Sequence, residues 1–151
     1  MVSLSKTLRL ILSLLLVISF VIFYPMFISI YVWLPLFIGM AGYFLMQGIE
    51  KGRIGYILFP VVYFINLEAN LSLPLFLTII ATLLVYQLIY SKLHYFKQCY
   101  LCRVLLSTVS LDILYLLLLL SYDFIFQTSS IGLDMILLYS LSVDFLLAVF
   151  L

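Results

Sequence analysis

Two cysteines three positions apart, Cys99 and Cys102, form the one dithiol pattern in this chain, with Lys97 and Arg103 as their basic neighbours. Thiolate is the reactive form of cysteine, and nearby positive charge favours it. Redox chemistry is therefore one reading of Cys99-Tyr100-Leu101-Cys102. A metal is another. Zinc sites built from protein alone take four ligands; His94 supplies a third and no fourth lies within sequence reach, so no metal is expected. The plain reading is two small apolar side chains at a helix start.

Acids form the second group. Asp112 lies in "STVSLDILYLL" and Asp144 in "YSLSVDFLLAV". Thr108 and Ser140 each precede one of them by four, which puts acid and hydroxyl on one helix face. A carboxyl group at the centre of a membrane helix costs about 2.5 to 3.5 kcal/mol on insertion scales. Three roles could justify that: hydrogen bonding between helices, a proton or ion path, or a binding face for a partner's helix. No basic residue lies mid-segment to pair with them, so they are expected either to be protonated or to face polar groups such as Thr78, Thr82, Gln87 and tyrosines.

The third place is "YFINLEANLSLPLFL", Tyr63 to Leu77, with Glu68 between Asn66 and Asn70. Pro74 suits the first turn of a helix, where its missing donor costs nothing, and Asn70 or Ser72 can cap that helix. Glu68 is left over. It is expected at a hydrated rim, contacting a partner together with Asn66, Asn70 and Pro74, so that Glu68→Gln would change stability by about 0.5 kcal/mol or less.

Composition says what must position these residues. Of 151 residues, 68% are apolar and 9% charged, and mean hydropathy is +1.37. Soluble domains average about 25% charged residues, so too few charges exist to cover a water-facing surface. Seven basic residues are too few for a phosphate-binding stripe, and nucleic acid is not an expected partner. No cofactor is expected either. Lys6 and Arg9 before the apolar run Leu10–Phe23 resemble the start of a signal peptide, but bulky residues follow in place of a small-residue cleavage site; an uncleaved first helix is expected.

Six apolar segments follow, at about 8–25, 30–48, 54–69, 73–91, 104–122 and 131–151. They do not alternate in polarity as barrel strands would. The expectation is an all-α polytopic membrane bundle of six transmembrane helices forming a single domain over 1–151, with no internal repeat. Tyr24-Pro25 and Pro35 should disturb the first hairpin, and Gln47–Gly55 should be a loop. Lys and Arg fall before the first segment, between the second and third, and between the fourth and fifth. Cytoplasmic loops collect these residues, so both termini are expected in the cytoplasm. The dithiol then also faces the cytoplasm, where disulfides rarely persist, and both cysteines are expected to be reduced and dispensable. Tyr24, Tyr31, Tyr90, Tyr95, Tyr100 and Tyr122 fall near segment ends, as interface anchors do.

Two family resemblances arise. "QCYLCR" resembles the active dithiol of the DsbB disulfide-forming proteins, whose chemistry implies a second cysteine pair that this chain lacks. "NLEANLSLPLFLTIIATLLVYQL" (Asn66–Leu88) resembles the MreD rod-shape proteins, in which an acid ends one helix, a small polar turn follows and Pro-Leu opens the next. Glu68, Ser72 and Pro74-Leu75 take those places; Glu replaces Asp, the flanking glycines are missing and Phe76 follows Pro-Leu. The resemblance covers about fifteen residues. It implies a non-enzymatic subunit of the bacterial inner membrane that binds MreC or a cell-wall synthase and supports peptidoglycan synthesis and cell shape. MreD proteins are in turn similar to the substrate-binding S-components of energy-coupling-factor transporters, which makes a small-molecule-binding transporter subunit the alternative.

Overall fold

The computed structural model describes residues 2–31, 33–90, 92, 100–127 and 131–150. Among them there is no strand. The helices are α1 (Val2–Ile30), α2 (Ile38–Lys51), α3 (Ile54–Asn70), α4 (Leu77–Val85, continued by a π-helical turn over Tyr86–Tyr90), α5 (Tyr100–Phe126) and α6 (Ile131–Phe150). Leu8–Ile30 and Leu101–Phe126 are long and apolar enough to cross a membrane.

The expected segments over 54–69 and 131–151 match α3 and α6 closely. Others differ, for physical reasons. α1 does not stop at Tyr24-Pro25, because Pro25 lies inside it. Proline removes the N–H that would bond the carbonyl four residues back, here that of Val21. Asn66 Nδ2 on α3 donates to Val21 O at 3.1 Å and to Ile22 O at 2.8 Å. A side chain from α3, which packs along α1, thus supplies the missing donor. The loop expected over Gln47–Gly55 shrinks to Gly52-Arg53. Gly52 ends α2 at φ 61°, its N–H turned back to Gly48 O and Ile49 O. A left-handed residue at this position is a common helix stop, and glycine adopts it without strain.

The second and fourth segments change most. Instead of long helices over 30–48 and 73–91, each begins with non-helical chain, and the helix opens only at Ile38 or Leu77. α2 has 14 residues, about 21 Å of helix.

α2 sits at the centre. It packs on α3, α4, α5 and α6, while α1 packs along α3. Small residues allow this close approach. Gly42 lies against the Leu111 side chain, and a Cβ at Gly48 would stand 2.8 Å from the backbone carbon of Tyr56. Backbone cannot rotate aside as a side chain can, so Gly48→Ala should force α2 and α3 apart and lower stability by about 1 to 3 kcal/mol. Denaturant unfolding in detergent micelles measures it.

One end of the bundle is tied by polar side chains. Tyr90 donates to Glu50 Oε2 at 2.7 Å, Arg103 reaches Glu50 at 3.9 Å, and its guanidinium lies 5.9 Å from the Tyr90 ring centre. This joins the end of α2, the π-helical turn and the start of α5. Tyr90, expected as an interface anchor, is buried there.

Candidate functional site

The two short helices begin in the same way. Leu34-Pro35-Leu36-Phe37 precedes α2, and Leu73-Pro74-Leu75-Phe76 precedes α4. The last residue of each is left-handed, Phe37 at φ 50° and Phe76 at φ 69°, and neither helix has a capping side chain of its own. The expectation of no internal repeat is corrected here: the tetrapeptide occurs twice and does the same thing twice. Its recurrence 39 positions apart was visible in the sequence.

A helix that starts inside a bundle leaves its first N–H groups without partners. Both helices solve this with an acid from elsewhere. Glu68, near the end of α3, takes the N–H of Phe76 on Oε2 at 2.6 Å, and the N–H and hydroxyl of Thr78 on Oε1 at 2.7 and 2.6 Å. Asp144 of α6 takes the N–H of Gly39 on Oδ2 at 2.8 Å. Gly39 and Thr78 stand at the same place, two residues after the left-handed phenylalanine. A carboxyl group also complements the partial positive charge of a helix N-terminus.

The hydrated rim position expected for Glu68 is therefore corrected. Glu68 is 0% exposed and all three of its bonds go to α4 and its cap. Nor do Asn70 or Ser72 cap that helix: Asn70 Nδ2 donates to Asn66 O and Oδ1, each at 2.8 Å, and Ser72 is exposed. Pro74 lies in the turn ahead of α4, three residues before its first helical position and not within the first turn as expected. Asn66 braces α1. The four residues expected to meet a partner thus hold the bundle's own elements, or the turn between them, in place. Spacing along the chain could not reveal this, since Glu68 reaches an N–H ten residues further on.

Asp112, Asp144, Thr108 and Ser140 are all buried. The hydroxyls do not bond the acids one turn away. Thr108 donates to Leu105 O of its own helix at 3.0 Å, and Ser140 Oγ accepts the N–H of Leu36 at 3.0 Å. Tyr63 and Tyr24 then donate to Leu36 O and Pro35 O at 2.7 and 2.8 Å. The non-helical strip before α2 is thus satisfied by hydroxyls from α1, α3 and α6.

Asp112 and Asp144 converge on Gly39. A methyl group there would stand 2.9 Å from Oδ2 of each and 3.1 Å from Asp112 Oδ1, so only glycine leaves both carboxyl groups room. Asp112 Oδ2, Asp144 Oδ1 and the Tyr115 hydroxyl are buried without a hydrogen-bond partner among the described residues. At the first short helix two acids thus face one cap and each keeps an oxygen without a donor, whereas at the second both oxygens of Glu68 are used. Such a pair can hold a proton between its members or accept a donor from a small molecule.

No family model, curated protein or solved structure matches this chain. Cys99 and His94 lie outside the described residues. Cys102, near the start of α5, is exposed; the expectation for the pair falls on Cys99 as well and so lies outside the described residues. Among the described residues no three His, Cys, Asp or Glu side chains gather where they could hold a metal.

Proposed function

We propose that the chain is a six-pass protein of the bacterial inner membrane, with both termini cytoplasmic, acting as a non-enzymatic subunit that binds partner membrane proteins through its helix faces. The resemblance around Glu68 points to the MreD type, with an MreC-like protein or a cell-wall synthase as partner. One observation carries the reading: polarity is arranged inside out. Glu68, Asp112 and Asp144 are buried, while Leu12, Leu16, Phe23, Ile113, Leu117 and Phe145 are exposed. A lipid surround favours buried acids and exposed apolar side chains, and the order supports the membrane reading. The face available to a partner is that of α1, an apolar helix whose most hydrophobic window is only 17% buried. The clustering of Glu50, Tyr90 and Arg103 supports the topology, because it draws Lys51, Arg53 and Arg103 to one end.

Reporter fusions at Leu151 and Thr128 test the topology, with a cytoplasmic signal expected at the first and an external one at the second. The reverse at either site overturns it. Affinity purification from membranes tests the partner, with an MreC-type protein expected in the eluate and lost when Leu12, Leu16 and Phe23 become alanine. A chain recovered alone in every detergent would remove the partner-binding role.

A transporter subunit that binds a small molecule is the second reading. Its support is the convergence of a short helix and two buried acids at the bundle centre, since transporters place substrates at interrupted helices. Recovery with a transport ATPase would favour it.

A further inference from the structure

We propose that an anionic phospholipid binds in the cleft between α1 and α2, with one acyl chain along α3 and its phosphate at Lys51 and Arg53. The inference rests on the membrane reading above and adds a specific ligand to it.

α1 and α2 are both packed on α3 and leave a cleft of about 600 Å³ between them, within the usual range for a ligand site. Val17 and Phe20 form one wall, Ala41 and Phe44 the other, and Phe59 and Pro60 the back. The lining is carbon almost throughout, which suits a hydrocarbon chain. One end is closed by aromatic rings, with Phe37 lying 5.3 Å from Tyr24, itself 6.5 Å from Tyr63, between ring centres. The other end reaches Gly55 and Tyr56 at the start of α3. From Gly55 to Tyr63 is about 12 Å of helix, so the cleft runs from the bundle's basic end to the aromatic floor.

The open end carries the charge. The Arg53 guanidinium lies 6.0 Å from the centre of the Tyr56 ring, and Tyr56 lines the cleft. Lys51 and Arg53 are exposed, and neither forms an ion pair among the described residues. A Cβ at Gly55 would meet nothing closer than Phe59 Cε2 at 3.9 Å, so the mouth beside Arg53 is clear, and Lys51 ends α2 two residues before Arg53. Basic groups between helices on the cytoplasmic side are how membrane proteins select anionic headgroups. A neutral lipid would fill the apolar part equally well, so selectivity must come from Lys51 and Arg53.

The experiment uses the full chain purified in detergent, with dioleoyl phosphatidylglycerol and dioleoyl phosphatidylcholine added in equal amounts and retained lipid counted by native mass spectrometry. Wild type is expected to keep one phosphatidylglycerol in preference to phosphatidylcholine. The surface double variant Lys51→Gln, Arg53→Gln should lose that preference by roughly 30-fold, the effect of two cations at a membrane surface. Gly55→Leu, which blocks the mouth without entering the core, should lower retention of both lipids about tenfold. Equal retention of the two lipids by wild type overturns the proposal, as does phosphatidylglycerol retention unaffected by Gly55→Leu. A chain that stays in solution without detergent and is absent from membranes overturns the membrane reading along with it; a membrane-bound chain without lipid preference overturns the lipid site alone.

Discussion

Replacing Glu68 with alanine is expected to destabilise the protein by about 3 kcal/mol or more. Two backbone N–H groups and the Thr78 hydroxyl lose their acceptor in a place water does not reach, and each buried donor left without a partner costs about 1 to 3 kcal/mol. Glu68→Gln should cost about 2 kcal/mol, because one amide oxygen can serve Thr78 while the amide NH2 is turned on the N–H of Phe76. The expectation from sequence was a change of about 0.5 kcal/mol or less, so the two accounts give separable numbers. Unfolding in detergent micelles, followed by tyrosine and tryptophan fluorescence, decides between them. A Glu68→Ala protein as stable as wild type would mean that α4 does not depend on this cap.

Asp112 and Asp144 approach the same glycine, yet their substitutions should differ in sign or nearly so. Asp144→Ala strips the acceptor from the Gly39 N–H and should cost about 2 to 3 kcal/mol. Asp112→Asn leaves the 2.8 Å bond from the Gly39 N–H to Asp144 in place, keeps one side-chain oxygen to face that same N–H, and replaces a carboxyl group with a neutral amide beside a second acid. Like charges at close range repel, and Asp112 Oδ2 has no donor among the described residues. This variant should be neutral or more stable by up to about 1 kcal/mol. The same unfolding assay reads both. If Asp112→Asn is as costly as Asp144→Ala, Asp112 has a partner that the bundle requires. If it is stable but inactive in the cell, the surplus acid serves function and not packing.

Much of the bundle could be read from hydropathy. α3 and α6 fall almost where their apolar runs do, because each run is continuous and bounded by glycine, charge or a polar link. α1 does not follow its apolar run alone. Pro25 reads as a breaker, and only Asn66, more than 40 positions later, makes a continuous helix affordable there. α2 and α4 are shorter than their apolar runs, because the residues ahead of them, such as Leu34, Leu36, Leu73 and Leu75, are as apolar as helix residues. Hydropathy measures burial and is blind to where the backbone hydrogen bonds go. The repeated Leu-Pro-Leu-Phe was the readable sign of a non-helical start, since proline restricts the residue before it and removes a donor.

By itself the sequence determined the class of the molecule: helical, strongly apolar, with a few acids among leucines and its cations confined to three short stretches. Those properties depend on composition and on order along the chain. The roles of the acids were decided only by tertiary structure. Glu68 and Asp144 each cap a helix that begins far away in sequence, and Asp112 meets Asp144 only because α5 and α6 close on Gly39. A carboxyl group is defined by the donors that reach it, and here those donors are backbone N–H groups, which every residue but proline carries and no sequence pattern marks.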